Sequence, residues 1–579
     1  MAVPILEDSL GPTPHKSVDM LSQAPSTTDF NNSPRKILDW YLDAKSPQLY
    51  KGGALRDGGE VDIWSRDYVG LIAQYATAGL IVGTLPATVY PFLFNYLNME
   101  GTQVVSAVVL LNMPWSFEMF YGMLTDCVPI GGYRRRPFMV IGWSLCFAML
   151  LAMACMDAGD PYYPDNKYAT MDAAVLTPEI VATFNEKAHH VGGKFVGMMM
   201  IAAIGYVGAD VAADAMMIEV AQREPEATRG YAQTTVYMVR TAFVMISSIF
   251  TGFAFNGKHY GGDFAFSLSF PQLMVILSVC CFPVIPLSWY CIKEDPHPGV
   301  VFGHYMAELW HLIQTRPMYQ VIAYKFLAGI FENFSVTCSD PMQSYWAGVT
   351  PLNQKLTTMV SKGIFAIALY YTGKHGLHWN WRKMHAITIT SVTLLDLIVT
   401  TLTTWGVVRN QWFWLGAPVA EALPSGIAFV IATFVMVEMA GDGNEGAVYG
   451  LVGSISNIAI PLASTLTKNV DSHFDVTNAD IAEDSTHVRW EVTSVLLIRY
   501  SMNLAGLLFL PLLPRQKAET QQLKRTGGSS RWMGIITLAY FAISLCWTVM
   551  VNVMSIYPST SCLRIAGGQG CDSRSSDRH

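Results

Sequence analysis

Long apolar runs recur along this chain, and no other feature limits its folding more. Stretches of about 20 apolar residues occur near 68–98, 102–124, 137–156, 192–217, 230–256 and 268–291. Six more lie near 317–337, 354–373, 384–407, 412–439, 446–468 and 490–513. Each can cross about 30 Å of hydrocarbon as a helix, the form in which a single segment satisfies its own backbone in lipid. A polar gap, KEDPHPGVVFGHYMAELWHLIQTRP, separates the two groups, and a thirteenth run, 532–557, follows the basic segment RQKAETQQLKRTGGSSR. Charged residues make up 14% of the 579, against about a quarter in soluble chains.

The pattern predicts an all-α polytopic membrane protein surrounded by membrane lipid. Its expected parts are a polar cytoplasmic tail (1–66), a six-helix bundle (67–292), a cytoplasmic connector (293–316) and a second six-helix bundle (317–514). A basic cytoplasmic segment (515–531), an additional transmembrane helix (532–557) and a tail (558–579) complete it. With the N-terminus cytoplasmic, the clusters Arg134–Arg136, Lys374 with Arg382 and Lys383, and Arg515–Arg525 all fall inside, as the positive-inside rule requires. The loops left outside, 157–193 and 471–490, are rich in acids. The first sixty residues have neither a signal-peptide core nor the acid-poor character of a transit peptide. The first apolar helix is therefore expected to direct the chain to its membrane. The plasma membrane is the default, with an internal membrane left open.

A net charge of -7 argues against nucleic acid as a partner. Eight of the ten cysteines lie in or beside apolar runs without metal-ligand spacing, so they read as small buried hydrophobes and no metal site is expected. Cys562 and Cys571 bracket LRIAGGQG in a tail that thirteen spans would put outside, where they are placed to form a disulfide. His189 and His190 are a loop pair without further ligands, and no Walker, Rossmann or nucleophile-elbow sequence stands in a usable context. Neither an enzyme nor an ATP-driven pump is expected, and no cofactor.

The turn between the second and third spans reads GMLTDCVPIGGYRRRPF. Gly122 and Asp126 form G-x-x-x-D, with Arg134 and Arg135 shortly after. A small residue lets two helices touch, while an acid and arginines form charge-assisted bonds that can break when two halves rock apart. A topology anchor alone would explain the arginines and leave Gly122 and Asp126 without a reason. The stretch resembles the loop signature of the major facilitator superfamily, which implies a latch on the cytoplasmic gate made by Gly122, Asp126, Arg134 and Arg135. Weaker echoes support paired halves. TGKHGLHWNWRKMH repeats the spacing with Lys374 in place of the acid, and EATRGY (226–231) is matched by EGAVYG (445–450).

Four ordered motifs narrow the resemblance: DCVPIGGYRRRPF, GADVAADAMMIEVAQ (208–222) with the following ATRG, EGAVYGLVGSISN (445–457) and PSTSCLRIAGGQGC (558–571). Together they are similar to the folate-biopterin transporter family, a branch of the major facilitator superfamily. That likeness implies two six-helix bundles and secondary active uptake of folates or pterins, commonly with protons. The family also includes carriers of S-adenosylmethionine.

Charges within apolar runs are pointers to a site in their own right, since each costs several kcal/mol unless paired or wet. Asp210 and Asp214 share one helix face at i, i+4 and are the candidates for proton coupling. Arg240, Lys325 and Arg499 come at similar depth and are expected to converge on one cavity, with Asp210, Glu332 and Glu421 as further substrate-binding candidates. A folate would use cations for its two tail carboxylates and aromatics with hydrogen bonders for its flat pterin. Mutual pairing that only sets helix packing is the competing reading for each of these charges. Glu118 is a further candidate, and the SISN stretch (454–457) reads first as helix packing. The expected activity is thus proton-coupled import of folate or pterin by alternating access. S-adenosylmethionine or another organic ion is the alternative cargo, and a non-transporting membrane receptor the alternative class.

Overall fold

The computed structural model describes residues 51–565, apart from 100, 165–167, 169–176, 261–263, 297–301, 442, 557, 562 and 564. Cys562 and Cys571, and with them the expected disulfide, lie outside the described residues; the other eight cysteines are free thiols.

Helix α1 (Val69–Val89) continues through the wider turns of Tyr90–Tyr96. The second expected span is two helices, α2 (Gly101–Asn112) and α3 (Glu118–Cys127), joined by the tight turn Met113–Phe117. Next come α4 (Arg136–Cys155), α5 (Ala188–Arg223) and α6 (Tyr231–Ala254). The sixth span divides into α7 (Phe270–Cys281) and α8 (Val284–Tyr290). The connector is itself a helix, α9 (Phe302–Gln314), burying Tyr305, Leu309 and Ile313 on one face.

The second set comprises α10 (Arg316–Glu332), α11 (Pro351–His375), α12 (Trp381–Thr404), α13 (Gln411–Met439), α14 (Glu445–Asp471) and α15 (Thr486–Ala505), the last prolonged by Gly506–Leu512. The basic segment folds as α16 (Lys517–Thr526), and α17 (Arg531–Ile556) is the thirteenth span. Proline in the first turn opens α4, α10 and α11, where its missing N–H costs nothing. Side chains of Thr350, Asn380, Asn410 and Ser485 cap α11, α12, α13 and α15.

Ten of these helical stretches are long and apolar enough to cross a membrane. The expected spans near 102–124, 317–337 and 354–373 fall short, each for a physical reason. The first is broken at Met113–Phe117, and α10 has 17 residues and carries Lys325 and Glu332. The outer half of α11 is studded with Asn353, Gln354, Lys355, Ser361 and Lys362.

Within the first set α4 packs on α5 and α1 on α6; within the second α13 packs on both α11 and α12. A Cβ on Gly142 would come 2.5 Å from the Gly205 carbonyl oxygen, so α4 and α5 touch through their backbones. The two sets meet along two long seams, α3 with α14 and α6 with α11. Helix α17 packs against α2 of the first set and against α10 and α14 of the second.

Candidate functional site

The alanine-rich middle of α5 carries Asp210 and Asp214 on one face, both buried against the neighbouring helices. Asp214 Oδ1 accepts hydrogen bonds from Tyr75 on α1 (2.5 Å) and Tyr237 on α6 (3.1 Å). The Tyr237 hydroxyl in turn meets that of Tyr449 on α14, 3.1 Å away across the seam. Asp210 lies 3.1 Å from Arg240 Nη1. Its Oδ2 has no directed hydrogen bond, so the contact is ionic. The Arg240 guanidinium lies 5.5 Å from the centre of the Trp115 ring.

Glu118, 5% exposed, faces the same group of charges. Asn457 Nδ2 donates to its Oε1 and to the Trp115 carbonyl, each at 3.1 Å, while Ser454 Oγ accepts from the Met119 amide at 3.0 Å. The SISN stretch thus binds α14 to α3. Three carboxyls and one guanidinium are gathered where the two sets meet.

The three cations do not share one cavity. Arg240 belongs to the cluster just described. Arg499 pairs with Asp396 at 2.9 Å, and Tyr500 donates to the same carboxylate oxygen at 2.9 Å. Glu421 faces that pair and lines a chamber of about 380 Å³ with Lys362, Gln343 and Ser361. A second chamber of about 220 Å³, between α1, α6 and α11, shares Gln354 and Thr358 with the first. The outer half of α11, too polar to qualify as a span, is the wall between the two. Lys325 and Glu332 line a third cavity inside the second set, where Glu332 pairs with His385 at 2.9 Å.

At the end of the bundle that carries the Gly122–Arg135 motif, helix α3 docks on the start of α14. Asp126, fully buried, accepts from the amides of Gly446 (3.2 Å) and Ala447 (2.7 Å) and from the Tyr305 hydroxyl (2.9 Å). It therefore caps a helix belonging to the opposite set. Arg135 Nη2 is 2.5 Å from Asp126 Oδ1 and 3.0 Å from Glu445, and its Nε is 3.3 Å from Glu219. Arg134 lies 3.7 Å from Glu219, while Arg56 pairs with both Glu219 and Glu445. A Cβ on Gly122 would collide with the Gly446 carbonyl, so Gly122 is what lets α3 and α14 meet there.

A second group of bonds joins the end of α5 and the turn into α6 to the end of α13. Arg229 pairs with Glu438 at 2.6 Å, and Gln222 donates to the carbonyls of Val437 and Ala440. Helix α16 reinforces this junction. Lys517 Nζ donates to the carbonyls of Glu226 (3.0 Å) and Arg229 (2.6 Å), and Lys524 donates to that of Glu438 (2.8 Å). Burial depresses both ammonium groups to about 8. Glu224, at the turn into α6, accepts from the amides of Gly230 and Ala232, yet burial raises its carboxyl to about 7.

Some of these partners are marked in the sequence only indirectly. Glu219 and Arg229 stand inside the motifs quoted above, and Glu438 is a charge in an apolar run; Tyr75, Tyr237 and His385 carry no such mark.

Residues 79–164, which take in α2, α3, the Gly122–Arg135 gate motif and α4, match the model of the BT1 family. The Folate-biopterin transporter of Synechocystis sp. is 22% identical over 472 residues, 79% of this chain and 83% of that protein. Probable folate-biopterin transporter 4 of Arabidopsis thaliana is 22% identical over 180 residues, 31% of this chain and 30% of that one. The chain is similar in sequence to these folate-biopterin transporters. It spans most of the cyanobacterial relative and under a third of the plant one. Its described residues include ten helical stretches long and apolar enough to cross a membrane, in keeping with a multi-pass membrane protein. Among solved structures, a D-xylose-proton symporter aligns with 80% of this chain and 100% of its own, at 13% identity and a TM-score of 0.49. The human organic anion transporter MFSD10 aligns with 76% of this chain and 99% of its own, at 11% identity and a TM-score of 0.47.

Proposed function

We propose that this chain, similar in sequence to the folate-biopterin transporters, is a secondary carrier. In this reading it imports a folate or pterin together with protons by alternating access. The observation that carries the reading is the buried Asp210–Arg240 and Asp214–tyrosine cluster, set between the two helix sets beside a closed inner gate.

Substrate enters from outside along the chambers beside α11. Its carboxylate takes Arg240, Asp210 is freed and takes a proton, and its flat ring stacks near Trp115 and Tyr237. Asp214, bridged through Tyr237 to Tyr449 on the opposite set, reports its own protonation across the seam. Glu421 lines the approach, facing the Arg499–Asp396 pair. The Asp126–Arg135–Glu445 latch holds the inner side shut until the cluster is neutralised, and the two sets then rock about their seams. The plasma membrane is the proposed location.

One observation favours a second cargo. Asp210, Asp214 and Glu118 outnumber Arg240, and that excess of acids suits a sulfonium cation such as S-adenosylmethionine. Counterflow in reconstituted vesicles separates the readings. Internal unlabelled folate is expected to accelerate entry of labelled folate, while trans-acceleration by S-adenosylmethionine alone would move the assignment to that cargo.

A further inference from the structure

We propose that the cavity inside the second helix set, walled by Tyr324, Lys325, Glu332 and His385, is a binding site for a small oxyanion, a carboxylate or inorganic phosphate. Its walls come from α10, α12, α13 and α14 and from Leu513, all within one set. None of the groups in the cluster between the sets reaches it.

Lys325 brings an ammonium without a direct ion pair to this wall, with the Glu332 carboxylate of the same lining acting on it through space. Among the described residues no carboxylate lies within 4 Å of Lys325 Nζ, although an ammonium at this depth costs several kcal/mol unless it is paired or wet. The acid nearest in sequence, Glu332, is two turns along the same helix and is engaged by His385 at 2.9 Å. The Tyr324 hydroxyl is also buried without a hydrogen-bond partner. An ammonium without a contacting carboxylate and a phenol without a hydrogen bond therefore stand on adjacent residues of one wall.

The other polar groups of the lining are engaged elsewhere. Asn333 Nδ2 is spent on the Gly329 carbonyl and the Ser456 hydroxyl on that of Val452, while Ala328, Ile431, Ala432 and Leu513 are apolar. An oxyanion in the cavity would give both donors an acceptor. The cavity holds about 170 Å³, and a cavity of about 150 Å³ accommodates a benzene-sized molecule. Acetate, a somewhat larger monocarboxylate or phosphate fits, and a whole folate does not. An anion there would tie α10 to α12 and stiffen the second set as it moves. This site does not depend on which cargo the central cluster carries.

The test is binding to the full-length protein in lipid nanodiscs in Tris buffer, read by thermal unfolding. Sodium acetate or sodium phosphate replaces sodium chloride at matched ionic strength. A saturable rise in Tm with acetate, phosphate or both is expected. Acetate alone assigns the site to carboxylates, and phosphate alone to phosphate groups. Lys325→Gln should weaken the apparent affinity tenfold or more, the loss expected for a charge-assisted bond, and Tyr324→Phe by a smaller factor. Arg240→Gln, which alters the central cluster, should leave the response in place. No saturable rise in the wild-type protein overturns the proposal. So does a rise that survives Lys325→Gln, or one that Arg240→Gln abolishes.

Discussion

Replacing Gly122 by alanine tests the α3–α14 contact, the proposed inner gate, at its tightest point. The new Cβ would lie under 2.5 Å from the carbonyl carbon and oxygen of Gly446 and 3.0 Å from the Ala447 nitrogen. Those are backbone atoms of a helix and cannot swing aside, and ordinary contact begins near 3.4 Å. Helices α3 and α14 must therefore part by about 1 Å or more. The bond from the Ala447 amide to Asp126, now 2.7 Å, would stretch to about 3.7 Å, beyond hydrogen-bond range. Losing a bond to a charged acceptor costs about 1.5–3 kcal/mol, or roughly 10–100-fold in the closed-to-open ratio. The Gly446 and Ala447 amides are direct reporters, since both bond to Asp126. Their hydrogen exchange should accelerate by about that factor in Gly122→Ala, while amides within α4 keep their rates. Unchanged exchange at 446–447 would refute the reasoning.

Other consequences follow from the same contacts. Lys517→Ala removes two bonds to the turn before α6 and should speed hydrogen exchange over 226–232 by about tenfold, without altering the α3–α14 seam. Burial raises the Glu224 carboxyl from 4.5 to about 7, so the folded state holds that proton more tightly than the unfolded chain. Its stabilising contribution is complete below about pH 4.5 and is lost as pH rises through about 7, a change of about 3 kcal/mol. Melting temperatures taken from pH 5 to 8 should fall more steeply in the wild-type protein than in Glu224→Gln. Asn457→Ala should leave Glu118 without its amide donor and weaken the contact of α3 with α14 by about 1–3 kcal/mol. Thermal unfolding of the variant should show that loss as a lowered Tm, and an unchanged Tm would count against a structural role for the bond.

The all-helical, membrane-crossing character was legible because hydrophobic length is a nearly complete signal in lipid. It faltered where function demands polarity. Helix α11 carries lysines and amides where it borders the outer chambers, and α10 carries Lys325 and Glu332. Asp126 and Arg135 stood out because their spacing fits a helix–turn–helix. The identity of their partners Glu219 and Glu445, 84 and 310 residues from Arg135 in the chain, is set by the meeting of distant helices. Similar depth suggested that Arg240, Lys325 and Arg499 would share a cavity. Depth, however, gives only one coordinate, and the rotation of α10 and α15 sends Lys325 and Arg499 into separate surroundings. The tyrosines around Asp214 were invisible because a tyrosine in an apolar run is ordinary until its hydroxyl meets an acid.

Uptake of labelled folate into vesicles with an imposed pH gradient, by wild-type protein and by Asp210→Asn, tests the proposed coupling most directly. Saturable uptake driven by external acid and abolished in the variant, which retains folate binding, is the expected result. Folate accumulation that ignores the gradient, or an Asp210→Asn variant that still concentrates folate against it, would contradict the account.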